Sequence, residues 1–149
     1  MTRHATIELE QGRDMNVVVL RGEFDLASAT DLRETLAGAT SVPTLIVDLA
    51  SCTFMDSTII NILLQASHGM HLQGGTLGLV IPPGTAPAVH RAFEMLGLQR
   101  VLPICATRAE MVDHLRALEV PSTPSGMRLR VLSTIIDELE AEAAEQRSA

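Results

Sequence analysis

A short apolar run that turns through a polar corner into a long apolar helix lies at the centre of this chain. Leu45-Ile46-Val47-Asp48-Leu49 follows Pro43, is rich in β-branched residues and has the length of a buried strand. Ile59, Ile62, Leu63, Ala66 and Met70 then recur at the spacing of one helix face. A buried strand that feeds a helix needs further strands beside it, so the flanking segments must complete a layered α/β domain.

Between strand and helix stand Asp56 and Ser57. Both are helix-capping types, because a short side-chain oxygen can accept from an unpaired N–H of the first helical turn. The structural reading of the pair is therefore a cap. A phosphate on Ser57 would meet the same N–H groups and the positive end of the helix dipole, which would make one hydroxyl a switch.

The remaining segments supply the layers. Ile7 and Leu9 alternate with Glu8 and Glu10, Gly12-Arg13-Asp14 turns the chain, and Met15 to Gly22 is a second strand, so the two are expected as an antiparallel hairpin. Asp25 is placed to cap a helix with an apolar face of Leu26, Ala29, Leu32, Leu36 and Ala39. After the central helix, Gln73-Gly74-Gly75 is a stop, Thr76 to Ile81 a strand, and about Pro87 to Leu96 a helix with Val89, Phe93 and Leu96 on one face. Val101 to Cys105 reads as a short strand whose Pro103 suits a sheet edge. Thr107 caps a last domain helix bearing Met111, His114, Leu115 and Leu118, with Glu110 placed for a capping box. This order predicts an α/β sandwich, with a mixed but mostly parallel sheet of four to five strands and about four helices.

Charge narrows the partners. The net charge is −7, from 18 acids against 11 bases, and every one of those bases is arginine. No basic stripe is present to carry a phosphate backbone, which argues against nucleic acid as partner. No run reaches membrane-spanning length and the amino terminus has no apolar leader, so the expected location is the cytoplasm, with no membrane contact. Cys52 and Cys105 sit in apolar surroundings and read as buried thiols rather than as a disulfide.

The string Phe54-Met55-Asp56-Ser57-Thr58, after the Leu45–Leu49 strand, resembles the phosphorylation motif of the STAS domain, the family of anti-sigma factor antagonists and of sulfate-transporter tails. Arg21-Gly22-Glu23-Phe24-Asp25-Leu26-Ala27-Ser28-Ala29 is similar to the family's second signature, a Gly-Glu-apolar-Asp segment that enters the first helix. Without membrane spans the transporter branch is disfavoured. The resemblance implies a non-enzymatic anti-sigma factor antagonist that binds an anti-sigma factor with serine kinase activity, and a phosphatase that reverses the modification. Ser57 is the implied acceptor, with Thr58 second, and Glu23, Asp25, Asp56, Ser57 and Thr58 form the implied partner surface. The alternative is a STAS scaffold or sensor subunit in a signalling assembly, with Ser57 only a cap. One departure matters: Ile59 stands where the family carries glycine, which removes backbone freedom and is expected to put a bulky side chain beside the site.

Other chemistries find little support. His68 and His71 are three apart on the central helix, but no third ligand lies near in sequence, so no metal is expected. Neither a Gly-x-Ser-x-Gly elbow nor a phosphate-binding glycine loop occurs, and no cofactor is called for. A weakly bound nucleotide stays open, since family members interact with nucleotides and parallel sheets offer clefts at strand ends.

The expected organisation is a STAS domain over 1–119, a Pro/Ser linker over 120–126 and an amphipathic helix over 127–149. That helix carries Leu129, Leu132, Ile135, Ile136 and Leu139 on its stripe, and alone in water it would be marginal. It either folds back on the domain or pairs with a second copy, giving a homodimer, or with a partner.

Overall fold

One sheet with two apolar faces organises the molecule. The computed structural model describes residues 4–118. Its elements are β1 (Thr6–Glu10), β2 (Met15–Phe24), α1 (Ala29–Ala39), β3 (Thr44–Asp48), β4 (Cys52–Met55), α2 (Ser57–Leu72), β5 (Thr76–Val80), α3 (Pro87–Met95), β6 (Ile104–Cys105) and α4 (Arg108–Leu118). Short 3-10 turns occupy Leu26–Ser28 and Leu98–Arg100. The expected linker 120–126 and helix 127–149 lie outside the described residues.

The strand order is β1-β2-β3-β5-β6, with β4 paired to β2 beyond the end of β3. β1 and β2 form the expected antiparallel hairpin, in the register Ile7↔Leu20 and Leu9↔Val18, and the other pairings are parallel. Alternation along β2 then sorts the core. Val18, Leu20 and Phe24 pack under α1, α2 and α3 with Leu32, Leu36, Ile59, Leu63, Val89 and Phe93. Val17 and Val19 turn to the other face and cluster with Ile46, Val80 and the α4 residues Met111 and Leu115. Helices thus cover both faces, as a parallel sheet requires.

Polar ties hold the helix ends. Asn16, buried in β2, donates to the Ala39 carbonyl at 3.0 Å and accepts from the Gly12 N–H at 3.1 Å, which locks the end of α1 to the hairpin. At the start of α4, Arg108 meets Asp48 at 2.9 Å and Glu10 at 3.1 Å. Among the described residues no helix is long and apolar enough to cross a membrane.

The sequence expectation differs in four places, one of them Leu96, which lies past the end of α3 and is 56% exposed rather than on the buried face with Val89 and Phe93. Cys52–Met55, expected as part of a corner, is a strand, which brings the sheet to six strands. The expected strand Val101–Cys105 shrinks to Ile104–Cys105, because Leu98–Arg100 winds into a 3-10 turn whose Leu98 carbonyl accepts from both Val101 and Leu102. Leu26 does not join the buried helix face: Asp25 caps the 3-10 turn, α1 begins at Ala29, and Leu26 is left 72% exposed.

Candidate functional site

β2 is the longest strand among the described residues, and it changes partner partway along. Met15 to Val19 pair with β3, whereas Gly22, Glu23 and Phe24 pair with β4, with a register shift between Gly22 and Glu23. Gly22 makes the change possible. Its φ is 91°, and a Cβ there would stand 2.5 Å from the His4 carbonyl oxygen, so a side chain is excluded by conformation and by space. Its N–H donates to the Ser51 carbonyl at 3.0 Å, which holds the loop that leads into β4.

Beyond the shift, Glu23 lies opposite Phe54 and Phe24 opposite Met55. The two parallel strands end level, so Asp25 and Asp56 emerge side by side, and the Asp56 N–H donates to the Phe24 carbonyl at 3.2 Å. This is how residues 31 apart in sequence come to share one corner.

Each aspartate is a cap. Asp25 accepts from the Ala27 N–H at 3.0 Å, and its own N–H donates to the Ser28 hydroxyl at 3.0 Å. Asp56 takes the Ile59 N–H on its carboxylate at 3.1 Å, and its carbonyl accepts from Ile60 at 3.2 Å. With the cap supplied by Asp56, Ser57 is the first residue of α2, exposed, and its hydroxyl has no hydrogen-bond partner among the described residues. Thr58 is half-buried. Ile59 is fully buried in the core, so the bulk expected beside the site faces inward.

The corner's surface is apolar and acidic. Phe24 and Met55 point into the core, so by alternation their neighbours Glu23 and Phe54 point outward, and Phe54 is 42% exposed. Leu26 adds a second exposed apolar side chain. Glu23, Asp25 and Asp56 contribute carboxylates, and from Gly22 to Ala29 and from Cys52 to Ile60 there is no basic residue. Leu26 and Phe54 were missed in the sequence reading. Alternation around Met55 would have revealed Phe54 had Cys52–Met55 been read as a strand.

Beneath the corner, the Cys52 thiol donates to the Phe54 carbonyl at 3.4 Å. Burial pushes this thiol up to about 11, a backbone hydrogen bond of Phe54 offsetting it only in part, so it stays a neutral thiol. Cys105 is half-buried rather than fully buried, and both cysteines are free. His68 is exposed and His71 half-buried on α2, and among the described residues no cluster of three ligating side chains converges as a metal site.

Set beside known proteins, the chain matches the family described as "Mlab, STAS domain" over residues 7–104. It is 29% identical over 119 residues to the anti-sigma F factor antagonist of Paenibacillus polymyxa, covering 78% of this chain and 97% of that protein. The crystal structure of an anti-sigma factor antagonist from Mycobacterium paratuberculosis superimposes with a TM-score of 0.67 at 26% identity, over 76% of this chain and 95% of that one. The anti-sigma factor antagonist SpoIIAA in its unphosphorylated form gives a TM-score of 0.63 at 27% identity, over 75% and 97% of the two chains.

Proposed function

This chain belongs to the STAS domain family, and on that premise we propose that it is an anti-sigma factor antagonist whose affinity for an anti-sigma factor is set by phosphorylation of Ser57. The observation that carries this reading is the division of labour at the start of α2: Asp56 serves as the cap, which leaves the Ser57 hydroxyl exposed and unused. A serine needed only for capping would spend its oxygen on a backbone N–H. Thr58, half-buried in the first turn, is a poorer acceptor.

The protein acts as a binding module rather than as an enzyme. Glu23, Asp25, Asp56, Ser57 and Thr58, with Leu26 and Phe54, form the face that meets the anti-sigma factor, itself a serine kinase. A phosphate adds about −1.5 to −2 charges between carboxylates and exposed apolar side chains. Docking would then bury a dianion against apolar contacts and acids, so the modified form releases its partner and a phosphatase restores binding.

Mass spectrometry after incubation with the anti-sigma kinase and ATP tests the acceptor: one phosphate is expected on Ser57, and none on the Ser57→Ala variant. Ser57→Ala should keep binding the kinase, while Ser57→Asp should bind it more weakly, on the order of tenfold or more. An unmodified Ser57, together with equal binding by both variants, would favour a STAS scaffold in which the corner is purely structural.

A further inference from the structure

The far end of the sheet holds a second site. β6 pairs with β5 only at Leu79 and Val80, so among the described residues the first half of β5 has no strand on its outer side. The Leu79 N–H donates outward to the Pro103 carbonyl, and the ladder's alternation turns the Leu77 N–H to that same side, past the end of β6. In place of a strand there is a cleft of about 360 Å³ between the end of α2, the Leu98–Arg100 turn and α4.

Its walls are chemically one-sided. Leu77, Leu102 and Ile104 supply apolar surface, while half-buried His71 and exposed His114 also line it. Among the described residues no carboxylate lines the cleft, although the chain as a whole carries 18 acids. Thr76, 8% exposed, also lines it, and its hydroxyl is buried with no hydrogen-bond partner among the described residues. A buried hydroxyl left unpaired is costly, which favours an acceptor that enters the cleft, and the Leu77 N–H is turned to the same side.

We infer that this cleft binds a small organic anion with an apolar body, such as a medium-chain carboxylate, whose head group accepts from the Leu77 N–H, the Thr76 hydroxyl and the two imidazoles. The size is right for a small ligand and too short in free edge for an added strand, since only one outward-facing N–H of β5 lies beyond β6. The site is separate from the Ser57 corner: α2 is 16 residues long, about 24 Å, with Ser57 in its first turn and His71 in its last.

Octanoate is the probe, added to the full chain labelled with ¹⁵N and followed through its amide spectrum, with 1-octanol as the neutral control. Saturable shifts are expected at Thr76, Leu77 and Ile104 and not at Ser57. The double variant H71A/H114A should weaken octanoate about tenfold or more, and Thr76→Val, which keeps the shape and removes the hydroxyl, should weaken it severalfold. The dispersed spectrum of each variant reports that it is folded. Octanol binding as tightly as octanoate, shifts centred elsewhere, or no saturation would overturn the inference.

Discussion

The Asp56 N–H donates to the Phe24 carbonyl at 3.2 Å, joining the two strand ends that carry the candidate site. Because Phe24 and Met55 are register partners, the caps at Asp25 and Asp56 are held by the sheet rather than by loops. A platform held by the sheet would suit the proposed switch, since a change at Ser57 would be presented on backbone that strand pairing fixes in place.

The platform depends on Gly22. Replacing it by alanine forces a side chain into a left-handed conformation and against the His4 carbonyl, at a cost of about 1–3 kcal/mol. Denaturant unfolding should show that loss. Partner binding should fall further than stability alone explains, because β2 can no longer switch from β3 to β4 at the right register. A Gly22→Ala protein of unchanged stability would mean that the strand change is made elsewhere.

Leu26 and Phe54 separate stability from binding. Both are exposed, so Leu26→Ser and Phe54→Ser should move the unfolding free energy by no more than about 0.5 kcal/mol. If they anchor the partner, each should weaken the complex by about 1–2 kcal/mol in a titration against the anti-sigma factor. Phe24→Ala is the contrasting case: Phe24 is fully buried, and its loss should cost about 3–5 kcal/mol of stability.

Asp56 offers a similar division. Asp56→Ala removes the acceptor for the Ile59 N–H and should cost about 1 kcal/mol, whereas Asp56→Asn keeps a capping oxygen and should cost a few tenths. Any change in partner affinity in the asparagine variant then reports the charge at the corner. Equal destabilisation by both variants would show that the cap works through charge with the helix dipole instead.

The layers of the fold were legible because they are written in local patterns: β-branched runs for β3 and β5, helical spacing for α2, and turn residues between β1 and β2. β4 was not, since Cys52-Thr53-Phe54-Met55 is too short to show a period and earns its strand only by pairing with the end of β2. Leu26 misled for the opposite reason. It falls in phase with the α1 stripe, but the 3-10 turn closed by Asp25 and Ser28 rotates it away from the core. The motifs around Asp25 and Asp56 were visible as strings, and their adjacency needed a strand that the string does not announce.

The alkaline limb of stability should belong to the cysteines. The chain has no lysine and no tyrosine, so between about pH 8.5 and 11.5 the thiols are the side chains that titrate. The Cys52 thiol is raised by burial from 9.0 to about 11, so above pH 9 the unfolded chain loses this proton while the folded one keeps it. Its contribution is fully present below about pH 9 and is lost as the pH rises through about 11, up to roughly 3 kcal/mol for a two-unit difference. Burial and the Glu110 charge also raise Cys105, which adds to the loss in the same direction. Guanidinium unfolding at about pH 8 and about pH 11 should therefore show a marked fall in the native chain. Cys52→Ala should start less stable, because it leaves a gap in the core, yet lose less over the same range. The same slope in both proteins would place the alkaline sensitivity outside the site's floor. At pH 8 a thiol reagent should label half-buried Cys105 and spare Cys52 until the protein unfolds.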